Sequence, residues 1–456
     1  MRKASSLKVG VSGVRGVVGE SLTPRLAADF AASFGAYVGG GRVVVGRDTR
    51  PTGPMFEDAV VAGLLSAGCQ PVVLGVVPTP TIQIMVDKLR ANGGIAITAS
   101  HNPESWNALK FIGGSALFLN HNEAAELLDI YNQPDSGCVR EEDIRHVRRV
   151  DDAFAEHKRR IFDKIDVELV RSAGFAVAVD CCSGAGAPYA ASFLEELGCR
   201  VHAIFDNVDG RFGRKPEPIP ENLSALSEAV RRHSCDIGFA QDPDADRVVV
   251  VDGDGDPIGE QYSIVLAVEH ALSKIPGPVV VNLATTKAVD DLAARYGVEV
   301  FHSKIGEINV TEEMLARNAV IGGEGGSGGV IWPAVHMCRD SFVGMALILE
   351  MLAKRRKSLS EVMELIPRYH TANRKVERST VGAIEAVRRL REKHAALNPK
   401  TLDGVRIDWD DRWVLVRPSN TEPVVRITAE AKSPEAADAL ADEFAAEIAE
   451  RPPEPN

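Results

Sequence analysis

The sequence predicts an α/β protein in which three related α/β units are followed by a smaller α+β domain. Three observations carry this. Short Val/Ile-rich runs alternate with helix-like stretches over most of the 456 residues, which is the punctuation of βαβ structure. The alternation recurs, each time ending in an apolar strand and a polar loop. From about residue 369 the pattern changes to short, closely spaced strands and an Ala-rich helix. Length alone points to about three domains.

In the first unit, Val43-Val44-Val45 leads through Gly46 into a helix-like stretch from Met55 to Ala67, then to Val72-Val73-Leu74. In the second, Ala176 to Val179 ends at Asp180, followed by the turn Ser183-Gly184-Ala185-Gly186 and a helix-like stretch to Leu197. In the third, Val279 to Val281 ends at Asn282, followed by Thr285-Thr286 and a helix-like stretch to Arg295. Further on, each unit offers a loop at a strand's carboxyl end, where open α/β sheets place ligands. These loops are residues 98–103, 242–247 and 323–329. The charged segment Arg140 to Arg160 reads as a helix connecting the first two units, and Arg374 to Arg391 as a polar stretch opening the last part. Strands are expected around Val405-Ile407, Trp413-Val416 and Val424-Ile427, then a helix from Pro434 to Ala449 and a frayed tail from Arg451.

The composition, 45% hydrophobic and 25% charged, is that of a soluble globular protein. No apolar run is long enough for a transmembrane helix, and the N-terminal MRKASSLKVGVSGVRG lacks the apolar core of a secretory signal. A net charge of −12 disfavours nucleic acid and anionic membranes as partners. It does not disfavour a phosphorylated small molecule, which a few converging cations can hold. Seven scattered cysteines, with Cys181 and Cys182 adjacent, read as reduced thiols of a cytoplasmic protein.

Four loops carry chemistry. Asp242-Pro243-Asp244-Ala245-Asp246-Arg247 follows the strand Ile237-Gly238-Phe239-Ala240. Carboxylates at alternate positions on a Pro-constrained turn can aim at one point, and hard oxygens there suit Mg²⁺. A solvated acidic turn is the other reading, and Asp252-Gly253-Asp254-Gly255-Asp256 is read that way. In Thr98-Ala99-Ser100-His101-Asn102-Pro103, Ser100 is either a nucleophile at a strand end or a helix N-cap. Adjacent side chains rarely point the same way, so His101 is a poor base for it. Arg417-Pro418-Ser419-Asn420-Thr421-Glu422-Pro423 has the donors to hold a phosphate dianion, or is a capping loop. Gly323-Glu324-Gly325-Gly326-Ser327-Gly328-Gly329 lets a ligand approach the backbone, but lacks the P-loop sequence of a nucleotide site.

Together and in this order, the loops resemble the α-D-phosphohexomutase superfamily. Gly13-Val14-Arg15-Gly16 and Gly46-Arg47-Asp48-Thr49-Arg50 add to the resemblance, which spans nearly the whole chain. It implies mixed sheets in four domains around a central cleft, with domains at 1–148, 149–255, 256–368 and 369–456. It implies that Ser100 carries a phosphoryl group and that Asp242, Asp244 and Asp246 bind one Mg²⁺ together with the phosphoserine. Arg15, Lys110 and Arg247 would surround the reacting phosphate or assist proton transfer. Glu324 and Ser327 would hold sugar hydroxyls, with His101 also on the substrate. Arg417, Ser419, Asn420 and Thr421 would hold the other phosphate. The implied reaction interconverts hexose 6- and 1-phosphates through a hexose 1,6-bisphosphate, in a monomer or homodimer.

Two departures from the family pattern stand out. One extra residue lies between Glu324 and Ser327, and Gly329 stands where the family commonly has His. After the serine loop, Asn107-Ala108 stands where an Asn-Gly pair is usual. Trp106-Asn107-Ala108 and Gly328-Gly329-Val330-Ile331 look most like the phosphoglucosamine mutase branch, which implies glucosamine 6-phosphate as substrate. Phosphoglucomutase/phosphomannomutase activity is the alternative. A sugar phosphatase or a non-catalytic sugar-phosphate-binding protein are remoter ones.

Overall fold

The three repeats fold into sheets of one connectivity. In the first, Gly41–Arg47 lies between Cys69–Val76 and Gly93–Ile97, parallel to both, and Trp106–Gly113 pairs antiparallel with Gly93–Ile97. In the second, Ala176–Asp180 lies between Arg200–Ile204 and Ile237–Gln241, and Val248–Asp252 closes the antiparallel hairpin. In the third, the corresponding strands are Val279–Asn282, Val300–Ser303, Ile321–Glu324 and Gly329–Ile331. The architecture is that of a computed structural model, which describes residues 7–10, 13–133, 138–419 and 423–450, except for the side chains of Ser327 and Thr380. The tail from Arg451 lies outside the described residues.

This repeat positions the site. Each loop singled out in the sequence is the hairpin between the third and fourth strands of its sheet. The central strands are Val-rich runs buried on both faces, as helix-covered parallel strands must be. Each fully buried Val, Leu or Ile contributes about 1.5–3 kcal/mol. The first sheet is widened to seven strands by Lys8–Gly10 and Gly13–Val17 on one edge and Arg148–Arg149 on the other. In the widened sheet, Arg15 stands opposite Ala108.

The second and third units share one apolar core. It runs from Phe154 to Tyr369 through the helices Tyr262–Lys274 and Ser341–Arg355. Ser341 to Ala353 is buried all round, so this helix is an internal pillar, not an amphipathic surface helix. The first unit packs onto this pair through a polar junction. Thr81 Oγ1 lies 2.9 Å from His157 Nδ1, and His157 Nε2 lies 2.6 Å from Asp340 Oδ2. Thus the three first units meet at one buried imidazole.

The fourth unit is an antiparallel sheet of His370–Glu377, Val424–Ala431, Trp413–Pro418 and Val405–Asp408, with the helices Thr380–Lys393 and Pro434–Ala449 packed on it. It joins the third unit where Arg406 donates to Leu283 O at 2.5 Å and Glu430 accepts from Lys287 N–H at 2.8 Å. Among the described residues no helix is long and apolar enough to cross a membrane, and the seven cysteines are free thiols.

Two local expectations need correction. Arg140 to Arg160 is not one helix: a short 3₁₀ turn at Glu141–Asp143 and the edge strand Arg148–Arg149 precede the helix Ala153–Phe162. The helix after Ser183 begins only at Ala190, after a series of turns. The polar stretch Arg374 to Arg391 does open the fourth unit, divided between the end of a strand and most of a helix.

Candidate active site

Ser100 stands at the tip of the first hairpin with φ +48°, the left-handed region. A non-glycine residue there costs of order 1–3 kcal/mol and persists only where its surroundings impose it. They do so through Arg50, which is fully buried. Its guanidinium donates to the carbonyls of Ser100 (2.6 Å), Asn102 (2.8 Å), Pro103 (2.7 Å) and Trp106 (3.0 Å). Asp48 pairs with Arg50 at 3.0 Å and accepts from Thr98 Oγ1 at 2.6 Å. No helix follows Ser100, which removes the N-cap reading.

The serine hydroxyl crosses to the second unit, where Ser100 Oγ donates to Asp242 Oδ2 at 2.8 Å. His101 Nδ1 lies 3.3 Å from the same Oγ. Adjacency in sequence therefore does not keep the two apart, because the positive φ at Ser100 curls the loop back. Burial, with Arg247 and Arg15 nearby, holds His101 down at about 3, so the imidazole is neutral.

Asp242, Asp244 and Asp246 are buried, and one oxygen of each lies within 4.8 Å of the others. Burial and the Asp244 and Asp246 charges push the Asp242 carboxyl well above the usual range. Asp244 is the opposite case. Burial, the largest single influence, raises it, but Lys110 Nζ at 2.6 Å, the hydrogen bond with Asp242 and the Arg247 charge together hold it below the usual range. Asp244 Oδ1 and Asp246 Oδ1 are buried without a hydrogen-bond partner. Three converging carboxylates, two of which carry a buried oxygen without a hydrogen-bond partner, fit a divalent cation. The group His157, His336 and Asp340 fits one less well. Both Nε2 atoms already sit at hydrogen-bond distance from Asp340 Oδ2, 2.6 and 2.8 Å.

The remaining residues fall as follows. Arg15 donates to Asn102 Oδ1 at 2.7 Å on the serine loop. Arg247 lies 3.4 Å from Asp246 Oδ1, and its backbone N–H donates to Asp242 Oδ1 at 3.3 Å. Glu324 Oε1 accepts from Asn282 Nδ2 (2.8 Å) and Gly306 N–H (2.7 Å), and its Oε2 from Arg339 Nη1 (2.9 Å). Burial opposes ionisation of Glu324, but Arg339 and these bonds hold it below the usual range. Arg417 lies 3.7 Å from Asp403 of its own unit, and Ser419 N–H donates to Val424 O. Asn420 and Thr421 lie outside the described residues, as does the side chain of Ser327.

The structure thus brings together Ser100, His101, Arg15, Lys110, the three aspartates, Arg247 and Glu324. Arg417 pairs within its own unit, with Asp403. Sequence reasoning gave no role to Arg50 and Asp48, although Gly46 to Arg50 was singled out as a motif. It passed over Arg339 and Glu307, which lie in no motif.

Comparison with known proteins agrees with this layout. Residues 6–137, 152–255 and 259–369 match phosphoglucomutase/phosphomannomutase alpha/beta/alpha domains I, II and III, and residues 372–447 match its C-terminal domain. A probable phosphoglucosamine mutase of Methanopyrus kandleri is 39% identical, over 95% of this chain and 96% of its own. A phosphoglucomutase/phosphomannomutase of Thermococcus kodakarensis is 38% identical, over 94% and 95%. The crystal structure of a phosphoglucomutase/phosphomannomutase family protein from Burkholderia thailandensis superimposes with a TM-score of 0.84 at 27% identity, over 97% and 98%. With all four domains in order and relatives named as mutases over nearly its whole length, the chain belongs to the phosphoglucomutase/phosphomannomutase family of the α-D-phosphohexomutase superfamily, whose members are intramolecular phosphotransferases.

Proposed function

We propose that the chain interconverts glucosamine 6-phosphate and glucosamine 1-phosphate through phosphorylated Ser100, with Mg²⁺ at Asp242, Asp244 and Asp246. The observation that carries this is the Ser100 Oγ to Asp242 Oδ2 contact of 2.8 Å. It puts a hydroxyl held at a strained backbone position against the carboxylates that fit a cation. When bound, the ion neutralises charge on the transferring phosphoryl group, the main catalytic requirement of such transfers.

The chain's own residues supply the rest. Arg15, Lys110 and Arg247 hold positive charge around Ser100. The neutral His101 donates or accepts a hydrogen bond at the substrate without adding charge. Glu324, kept ionised, retains acceptor capacity on Oε2 for sugar hydroxyls. Arg417, Ser419, Asn420, Thr421 and Ser327 contact the substrate, the first four at the phosphate not being transferred. A sugar hydroxyl oxygen forms the new P–O bond as the bond to Ser100 Oγ breaks; the hydroxyl proton leaves to a base, and the released Ser100 Oγ takes up a proton. The hexose 1,6-bisphosphate then turns over, and the reverse step returns its other phosphoryl group to Ser100. We divide the chain at 148/149, 255/256 and 368/369, so that each domain presents one loop to the substrate.

The glucosamine preference rests on the motif resemblance at Trp106-Asn107-Ala108 and Gly325 to Ile331 and on the phosphoglucosamine mutase names among the relatives. Hydroxyls shared by glucose, mannose and glucosamine discriminate weakly, so side activity is expected. The test is kcat/KM for glucosamine, N-acetylglucosamine, glucose and mannose phosphates at equal Mg²⁺, with a chelated control. The glucosamine substrate should lead, and chelation should abolish turnover. A tenfold lead for glucose or mannose 1-phosphate would overturn the preference, and full activity after chelation the metal assignment.

A further inference from the structure

Arg339 joins the aspartate loop, the glycine-rich loop and a third segment through one guanidinium. It lies just before the buried helix Ser341–Arg355, and its side chain is 9% exposed. Its three guanidinium nitrogens go to three carboxylates from three segments. Nη2 donates to Asp246 Oδ2 at 2.6 Å, on the aspartate loop. Nη1 donates to Glu324 Oε2 at 2.9 Å, at the start of the glycine-rich loop. Nε donates to Glu307 Oε2 at 2.9 Å, at the N-terminus of the helix Glu307–Arg317, and Arg339 N–H donates to Glu307 Oε1 at 3.2 Å.

The neighbouring residues strap the same region. Ser341 Oγ donates to Ala245 O at 2.7 Å and accepts from Gln241 Nε2 at 2.7 Å. Ala245 has φ +55°, so the aspartate loop is held at a backbone conformation it would not keep unaided. Asp340 N–H is bonded to Val330 O at 2.9 Å, which ties the strap to the hairpin of the glycine-rich loop. The stem of Arg339 passes where a side chain at 329 would stand. A Cβ on Gly329 would lie 2.5 Å from Arg339 Cδ. Gly329 itself is at an ordinary φ, so it is the space, not the backbone, that requires glycine there.

We propose that Arg339 is a positioning residue that couples the aspartate loop to the glycine-rich loop, with Gly329 as the gap its stem needs. By holding Asp246 Oδ2, it leaves Asp246 Oδ1, which is buried without a hydrogen bond and 3.4 Å from Arg247 Nε, for the cation site. By holding Glu324 through one oxygen, it fixes the carboxylate that faces the sugar. A planar fork is needed for this. A lysine ammonium is a point charge and cannot hold three carboxylates in fixed directions. The inference rests on the metal and sugar roles proposed for Asp246 and Glu324.

The test uses full-length protein with Mn²⁺ alone, read by electron paramagnetic resonance, and with glucosamine 1-phosphate and glucose 1-phosphate, read by calorimetry. Arg339→Lys keeps the charge and the stem. Gly329→Ala removes no charge and displaces only the stem. Each is expected to raise the Mn²⁺ dissociation constant and the tighter sugar phosphate's dissociation constant together, at least fivefold, with the thermal midpoint of the metal-free protein within a few degrees of wild type. If Arg339→Lys does not fold, Gly329→Ala decides alone. A residue that served only to neutralise charge would leave Gly329→Ala like wild type in both titrations, and that result overturns the proposal. So does a change in one ligand's affinity without the other. Asp246→Ala separates the two levels. If it binds Mn²⁺ as wild type does, the metal assignment itself fails. If it loses Mn²⁺ while Arg339→Lys and Gly329→Ala do not, only the role of Arg339 fails.

Discussion

At the residue scale, the site is built by charges that have exchanged water for one another. Arg50 is the clearest case: fully buried, it satisfies four carbonyls of the serine loop and one aspartate. Arg50→Lys keeps the charge but has fewer donors and no fork, and several carbonyls, that of Ser100 buried, lose their partner. The variant should lose about 2–4 kcal/mol in urea denaturation and at least tenfold in turnover. A stability within 0.5 kcal/mol of wild type (roughly the scatter of neutral surface changes) would show that the loop holds its shape without Arg50. The residues legible in the sequence were those in dense motifs: Ser100, the three aspartates, Glu324. Arg339 and Glu307 were not legible. Their partners are 93 and 32 residues away, and an isolated arginine gives no sign of what it will meet.

At the scale of elements, Val-rich strands and the loops after them were readable because burial on both faces leaves an unbroken apolar run. His370–Glu377 was not read as a strand. It is an edge strand, only Ala372 of its eight residues is buried, and it carries Arg374, Lys375 and Glu377, all at least partly exposed. Arg140 to Arg160 misled for the opposite reason, since a charged segment suggests a solvated helix whether or not one forms. The buried helix Ser341–Arg355 carries its own titrating group. Glu350 accepts from His270 Nε2 (2.7 Å), Lys274 Nζ (2.7 Å) and Asp166 N–H (2.8 Å). Burial opposes its ionisation, but these donors hold it at about 2. The folded value lies below the unfolded value of about 4.3. Its contribution is therefore complete above that pH and is lost as pH falls toward the folded value. It is on the order of a few kcal/mol. Glu350→Gln should destabilise markedly at pH 7 and less at pH 3.5 in matched denaturant titrations. Equal destabilisation at both would contradict a role for the charge.

At the scale of the whole molecule, the arrangement separates two tasks. Units one to three meet at buried polar junctions, with a continuous core behind the aspartate and glycine-rich loops, and so hold the serine, aspartate and glycine-rich loops together. The fourth unit has its own core and joins the third through a small apolar contact of Leu283 with Trp413 and Leu415 and a few hydrogen bonds. A lightly attached domain suits a phosphate anchor that must stay with a turning bisphosphate. Arg417→Ala should accordingly cost about 2–4 kcal/mol in kcat/KM and release free bisphosphate during turnover, detected by ion chromatography. An unchanged kcat/KM would remove Arg417 from the site.

The central claim, that Ser100 carries the phosphoryl group, is tested most directly by intact-protein and peptide mass spectrometry after incubation with glucose 1,6-bisphosphate and Mg²⁺. Wild type should gain one phosphoryl group, mapping to Ser100, and lose it on addition of excess sugar monophosphate. Ser100→Ala, folded by its thermal transition, should gain none and should turn over orders of magnitude more slowly. A phosphoryl group on another residue, or near-normal turnover in Ser100→Ala, would contradict the account.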